Sequence, residues 1–130
     1  MNFKAIAYYL SLFCFPISFL SFINILYSLY FDYFLSIDLY FLTLITSLIF
    51  SSILYFFGRK AEKKLNFFDQ ITLILLTYLI LSIFISIPYY FSNYQLTIIN
   101  SLFESFSGLT GTGFTIFDNI KYLDPTLILW

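Results

Sequence analysis

The chain has 130 residues, of which 61% are hydrophobic and 10% are charged, and its formal net charge is −1. A soluble domain is about one quarter charged, so the main solvent of this chain must be lipid, and its charge indicates neither a nucleic acid nor an anionic partner surface. Histidine is absent and Cys14 is the single cysteine, which excludes a His/Cys metal site, a Cys/His nucleophile pair and a disulfide framework within the chain.

The first predicted element is a transmembrane helix from Ala5 to Tyr30, which has no charged residue and is long enough to cross a bilayer. Pro16 lies near its middle, where neighbouring groups can satisfy the carbonyl that a proline frees. The alternative is a secretory signal peptide, because Lys4 precedes the apolar run. The run is too long for a signal peptide and no small-residue cleavage site follows it, so we favour the helix.

Two further transmembrane helices are predicted, from Leu39 to Phe57 and from Phe68 to Ile87, the second of them ending at Pro88. Asp69, at the start of the third helix, suits the positive end of the helix dipole. No charged residue lies deeper within the three spans, which is typical of a scaffold rather than of a proton or substrate path. An interfacial aromatic cluster is predicted after the third helix, at Tyr89, Tyr90 and Tyr94.

The basic residues predict that the N-terminus is cytoplasmic. Four of the six Lys and Arg residues lie in GRKAEKK, Gly58 to Lys64, and Lys4 lies near the N-terminus. Three crossings place both groups on one side, which the positive-inside rule assigns to the cytoplasm. The loop with Asp32 and Asp38, and the chain after Pro88, then lie outside. We interpret the basic loop as a topology anchor rather than as a ligand site.

The segment from Ile98 to Gly108 predicts a short amphipathic helix, with Ile99 and Phe103 on its apolar face and Ser101 and Glu104 on its polar face. Its eleven residues make about 16 Å of helix, roughly half a bilayer. Such a segment must either lie on the membrane surface or enter the membrane and turn back.

The loop that follows, Thr110 to Thr115, alternates Gly with hydroxyl residues. Glycines allow backbone angles that turn successive carbonyls the same way, and a row of backbone oxygens can replace the hydration shell of a potassium ion. The C-terminal end of the preceding helix is partly negative and favours a cation. The alternative is an ordinary external loop. A phosphate-binding loop is disfavoured because no Gly-Lys-Ser/Thr follows.

The stretch SLFESFSGLTGTGFTIFDNI, Ser101 to Ile120, resembles the first pore helix, filter and exit loop of Trk-type potassium uptake membrane subunits (TrkH), of the Trk/Ktr/HKT superfamily. The start MNFKAI, the basic loop and IPYYFS before the pore helix also sit where that family has them. The resemblance covers essentially all 130 residues. Its most specific part is the pore motif, because apolar helices alone are common to many membrane proteins.

The resemblance implies an all-α membrane protein with four repeats of helix, pore loop and helix around one pore, preceded by two extra helices. Residues 1–64 would be the extra pair with the basic loop, and residues 65–130 the first pore repeat. In that repeat we expect a helix at 68–87, a re-entrant pore helix at 98–108 and the filter at 110–115, with the second helix missing. The chain would then be an N-terminal fragment that is inactive alone.

The resemblance also implies a K⁺ site, with no transition metal and no cofactor, at Thr110, Gly111, Thr112 and Gly113. The family usually shows Thr-Thr-Thr-Gly, so Gly111 is a departure. Gly113 matches the single filter glycine of each repeat, and because members with serine there tend towards sodium, it points to potassium. Glu104 is either a negative charge near the filter or, as we favour, a hydrogen-bonded brace between the pore helix and a neighbouring repeat.

The predicted function is potassium transport without covalent chemistry, so we do not expect an enzyme. By resemblance the complete protein would be a homodimer in the bacterial inner membrane, a channel-like transporter or symporter in contact with lipid, and a nucleotide-binding TrkA-type subunit would gate it from the cytoplasm. The alternative function is a small, non-transporting, multi-pass membrane protein that acts in assembly or regulation. An intramembrane enzyme is disfavoured, because the spans hold no His and no Ser/Lys or paired-Asp arrangement.

Overall fold

The computed structural model describes residues 2–31 and 37–130. Within these ranges lie the helices α1 (Phe3–Tyr30), α2 (Ile37–Gly58), α3 (Phe67–Phe91), α4 (Ile98–Thr110) and α5 (Pro125–Leu129), with a 3-10 helix at Ile120–Tyr122 before the last. The first three are long and apolar enough to cross a membrane, which confirms the prediction of an all-α, multi-pass membrane protein. Of the predicted external loop, Asp32 lies outside the described residues and Asp38 lies in the first turn of α2.

The first two spanning helices are slightly longer than predicted. α1 begins before Ala5 because the Asn2 side-chain oxygen accepts a hydrogen bond of 3.3 Å from the Ala5 N–H and so caps the helix. Pro16 lies inside α1, which continues through it. α2 extends the predicted span of Leu39 to Phe57 by two residues at its start and by one at its end.

Small hydroxyl side chains form the contact between α1 and α2. The hydroxyl oxygens of Ser18 and Ser47 are 2.8 Å apart, and the Ser51 hydroxyl donates a 2.9 Å hydrogen bond to the Ser11 carbonyl. Buried small and polar side chains of the two helices are Ser11, Ser18, Ser21, Asn24, Ser28, Thr43, Ser47 and Ser51. Small residues let two backbones approach closely, which in lipid replaces the hydrophobic driving force that packs helices in water.

The N-terminus, the basic loop and the start of α3 meet at one end of the helix bundle, the basic end. The carboxylate of Asp69 accepts from the backbone N–H groups of Asn2 at 3.1 Å and Asn66 at 3.2 Å, so it links the starts of α1 and α3. The Asn2 side-chain amide also donates to the Glu62 carbonyl, and the Tyr9 hydroxyl donates to the Lys63 carbonyl. The N-terminus and the basic loop therefore share one end, as two intervening spans, α1 and α2, require.

α3 runs through Pro88 to Phe91, so the predicted helix end at Ile87 is wrong. A proline removes only its own N–H from the hydrogen-bond ladder, and the residues after it can keep helical angles when the surroundings compensate. Here Pro88 is fully buried, and the Trp130 indole donates a 2.9 Å hydrogen bond to the Ile85 carbonyl in the preceding turn. Packing around the proline therefore stabilises the last turn of α3.

α4 lies against α3, and its last turn reaches the middle of that helix. Leu109 packs on the buried apolar cluster that includes Leu73 and Leu81. The chain then returns towards the end of α3, where the Phe117 ring lies 6.4 Å from the ring of Tyr89 and 5.8 Å from that of Tyr94. The segment from α4 to Phe117 thus goes about halfway along α3 and comes back.

α5 docks on the end of the bundle opposite the basic end. Asp124 caps it by accepting a 2.8 Å hydrogen bond from the Thr126 N–H. The buried Tyr40 hydroxyl of α2 donates to the Thr126 hydroxyl at 3.0 Å, and the rings of Tyr40 and Trp130 lie 5.6 Å apart. These contacts hold the chain after the Gly/Thr loop against the first helix pair.

Candidate functional site

The polar face of α4, not its apolar face, packs against the protein. Ser101 and Ser105 are fully buried, whereas Ile99 is 79% exposed and Phe103 is 45% exposed. The buried hydroxyls bond within the helix: Ser105 donates to the Ser101 carbonyl at 2.7 Å and Ser101 to the Thr97 carbonyl at 3.0 Å. The apolar face is therefore presented outward, which suits lipid or further apolar protein rather than water.

α4 ends in a glycine cap that forms the start of the Gly/Thr loop. The helix continues to Thr110, two residues beyond the predicted end at Gly108. Gly111 has a left-handed φ of 68°, its N–H bonds to the Gly108 carbonyl at 3.1 Å, and the Thr112 N–H bonds to the Ser107 carbonyl at 3.0 Å. This is the Schellman arrangement, which satisfies the last helical carbonyls with a residue whose φ is positive.

The four predicted filter residues lie together at this helix end and all are exposed. Thr110 is the last helical residue, and its hydroxyl lies 2.6 Å from both the Phe106 carbonyl and the Thr112 hydroxyl. Gly113 has a φ of 75°, and a Cβ placed on Gly111 or on Gly113 would meet nothing within 4 Å. Both glycines are therefore required by backbone conformation rather than by close packing.

Two side chains of α4 hold the far side of the loop. The Glu104 carboxylate accepts from the Thr115 hydroxyl at 2.7 Å and from the Ile116 N–H at 2.5 Å. The Ser107 hydroxyl donates to the Phe114 carbonyl at 2.5 Å. We predicted a brace from Glu104 to a neighbouring repeat, whereas its partners here lie eleven and twelve residues further along the same chain.

Ser107 was not among the predicted site residues. The available signal was its spacing: it lies three residues after Glu104, so the two share a helix face and both point to the returning chain. A cavity of about 470 Å³ borders this face, between the loop and α5. Its lining includes Tyr89, Glu104, Ser107, Gly113, Thr115, Phe117 and Leu127.

The ligands available at the loop are backbone carbonyls and threonine hydroxyls. Within residues 2–31 and 37–130, no group of three or more His, Cys, Asp or Glu side chains is placed to hold a metal ion. Neutral oxygens in a row suit a large monovalent cation, because they replace its water shell without a strong field. The C-terminal end of α4 adds its partial negative charge at the same place.

No family model, curated protein or solved structure matches this chain. The resemblance to Trk-type subunits therefore rests on the residues of the pore motif alone.

Proposed function

We propose that this chain takes part in potassium transport across a membrane and supplies one selectivity-filter loop of a Trk-type uptake subunit. The observation that carries the proposal is the path of the chain after α3. Leu109 lines one cavity with Leu73 and Leu81 of α3, and Phe117 lies back at the end of that helix, against Tyr89. If α3 spans the bilayer, the Gly/Thr loop lies near half its depth, which supports the proposal that α4 is a re-entrant pore helix.

Irregular backbone at half the depth of a membrane requires a physical explanation. Irregular backbone is tolerated inside a membrane only where protein surrounds it or where it lines a water-filled cavity. The residues from Thr110 to Thr115 are exposed in this chain and include two positive-φ glycines. Exposed carbonyls at membrane depth are costly in lipid but are the ligands of a permeating cation.

One such loop supplies about a quarter of the oxygens that surround an ion in a pore of four repeats. The other loops would come from the remainder of the membrane subunit, and the outward apolar face of α4 suits contact with them. Gly113 in the filter position favours potassium over sodium by family resemblance. The same resemblance proposes a homodimer in the bacterial inner membrane, with the basic end cytoplasmic beside a TrkA-type gating subunit.

The second candidate is a non-transporting membrane protein in which the loop is external. Exposure of all six loop residues fits this candidate as well. The two candidates differ in the depth of the loop and in the function of its glycines. An external loop tolerates a side chain at Gly113 with a loss of local stability only, whereas a filter loses ion passage.

The test is potassium uptake by a transport-deficient host that expresses the full reading frame. We compare Gly113→Ala with Gly108→Ala, because an added Cβ meets nothing within 4 Å at either position and only Gly113 has a positive φ. We expect Gly113→Ala to lower uptake at least tenfold at equal membrane abundance, Gly113→Asp to abolish it, and Gly108→Ala to retain it. Unchanged uptake with Gly113→Asp overturns the filter assignment.

A further inference from the structure

Building on the proposed function, we propose that Ser107 and Glu104 are positioning residues that end the row of ion-facing oxygens at Gly113. They do so by holding the Phe114 carbonyl and the peptide after it against α4. The two residues and their partners, Phe114, Thr115 and Ile116, are called the loop clamp below.

The first half of the clamp is the Ser107 contact, which directs the Phe114 carbonyl towards α4. The buried Ser107 hydroxyl donates a 2.5 Å hydrogen bond to the Phe114 oxygen, so this oxygen is directed at α4. The Phe114 side chain itself is 68% exposed. Because the hydrogen bond directs the Phe114 oxygen at α4, we infer that this oxygen does not face an ion on the exposed side of Gly113.

The second half of the clamp fixes the chain immediately afterwards. Glu104 binds the Thr115 hydroxyl and the Ile116 N–H through one carboxylate oxygen, at 2.7 and 2.5 Å. Hydrogen bonds to a carboxylate are about twice as strong as neutral ones. The peptide groups from Phe114 to Ile116 are therefore held at both ends, which prevents rotation of the Phe114 carbonyl back towards the loop axis.

The neighbouring serines show that the Ser107 contact is not ordinary helix chemistry. Ser101 and Ser105 donate to carbonyls four residues earlier in the same helical segment, as serines in apolar helices commonly do. Ser107 donates instead to a residue seven positions later, outside the helix. Its hydroxyl is thus used to shape the loop.

The consequence for function is a limit on the number of coordinating oxygens. Discrimination between K⁺ and Na⁺ depends on how many carbonyl dipoles surround the ion and on how firmly they are held. With the clamp closed, this repeat contributes oxygens only up to Gly113. Release of the Phe114 carbonyl would change that number, so the clamp determines selectivity without touching the ion.

The transport test measures the ratio of Rb⁺ to Na⁺ uptake by the full reading frame. We expect Ser107→Ala to change this ratio at least threefold. Ser107→Thr retains a hydroxyl and should change the ratio by less than half as much. Ser105→Ala is the matched control, a buried serine of α4 whose hydroxyl donates to the Ser101 carbonyl within the helix, and its ratio should equal that of the wild type. Equal ratios for Ser107→Ala and Ser105→Ala overturn the proposal.

A second measurement does not depend on transport. In the purified protein we expect Glu104→Ala to raise the hydrogen-exchange rate of the Ile116 amide at least tenfold, and Glu104→Gln, which keeps an acceptor oxygen, to raise it less. An unchanged rate in Glu104→Ala overturns the clamp even if the protein transports potassium. Conversely, if wild-type uptake is absent but this exchange rises, the clamp exists and the proposed function fails.

Discussion

Gly58 and Tyr8 bring the backbones of α2 and α1 into direct contact. A Cβ built on Gly58 would lie 2.5 Å from the Tyr8 nitrogen and 2.5 Å from the Lys4 carbonyl oxygen. Both neighbours are backbone atoms inside α1, which cannot move aside as a flexible side chain can. Gly58 is therefore the point where the two helices approach most closely at the basic end, and it continues the run of small residues that packs α1 on α2.

Gly58→Ala is expected to destabilise the bundle by about 1–3 kcal/mol, because overpacking forces a shift of the backbone. The measurement is the midpoint of denaturant unfolding in detergent, followed by circular dichroism. Gly108→Ala is the control, since its added Cβ meets nothing within 4 Å. A midpoint for Gly58→Ala equal to that of the control would mean that the helices do not approach as described.

The Ser18–Ser47 contact predicts a measurable coupling between α1 and α2. Their hydroxyls are 2.8 Å apart in a buried position. Ser18→Ala, Ser47→Ala and the double variant form a thermodynamic cycle, and we expect a coupling free energy of about 0.6 kcal/mol, the average for hydrogen bonds between membrane helices. A coupling indistinguishable from zero would show that the two hydroxyls do not bond to each other.

Asp69→Ala is expected to loosen the basic end. The change removes the acceptor of the Asn2 and Asn66 N–H groups in a site where Asp69 itself is 2% exposed. Unsatisfied buried donors cost about 1–3 kcal/mol, so unfolding should require less denaturant and the Asn2 amide should exchange faster. Asp69→Asn keeps one acceptor oxygen, so its stability and its Asn2 exchange rate should lie between those of the wild type and of Asp69→Ala. If Asp69→Ala matches the wild type in both, Asp69 does not link the starts of α1 and α3.

Tyr94→Phe is expected to loosen the segment around Tyr122 and Asp124, just before α5, without altering the spanning helices. The Tyr94 hydroxyl accepts from the Asp124 N–H at 2.7 Å and donates to the Tyr122 carbonyl at 3.3 Å. Loss of both bonds should cost about 0.5–1.5 kcal/mol locally and speed hydrogen exchange at Asp124. Tyr90→Phe, an exposed tyrosine of α3, serves as the comparison and should leave that exchange unchanged. Equal exchange in both variants would contradict the described loop anchor.

The spanning helices were predictable because length and apolar content alone define them. Each predicted span lies inside the observed helix, and the largest error is at Pro88. Sequence rules register the N–H that a proline removes, which leaves the Phe84 carbonyl without its helical donor. They cannot register that Pro88 is buried or that the Trp130 indole, 45 residues away, donates to the neighbouring Ile85 carbonyl. These contacts are tertiary and have no local signature.

The direction in which α4 packs was harder to predict than its existence. The pattern correctly separates Ile99 and Phe103 from Ser101 and Ser105, but it does not say which face meets the protein. In water the apolar face would be buried, whereas in lipid the small polar face packs and the large apolar side chains face outward. Which face of an amphipathic helix packs on the protein therefore depends on whether its surroundings are water or lipid.

Within the candidate site, the glycines were predictable and the clamp was not. Gly111 and Gly113 adopt the positive φ that only glycine adopts easily, which a Gly/Thr alternation suggests. The Ser107 contact depends on the return path of the chain to Phe114, and no spacing rule specifies that path. The contact therefore depends on tertiary structure and not on the local sequence.

The hydrogen bond between Tyr40 and Thr126 joins residues that leave the ribosome 86 positions apart. Until Thr126 has been synthesised, the Tyr40 hydroxyl lacks this partner, and a buried polar group without a partner is costly. The newly inserted hairpin therefore reaches its final stability only after translation has passed the loop and the emerging segment has folded back on it. We therefore expect the first two helices to pair before α5 docks on them.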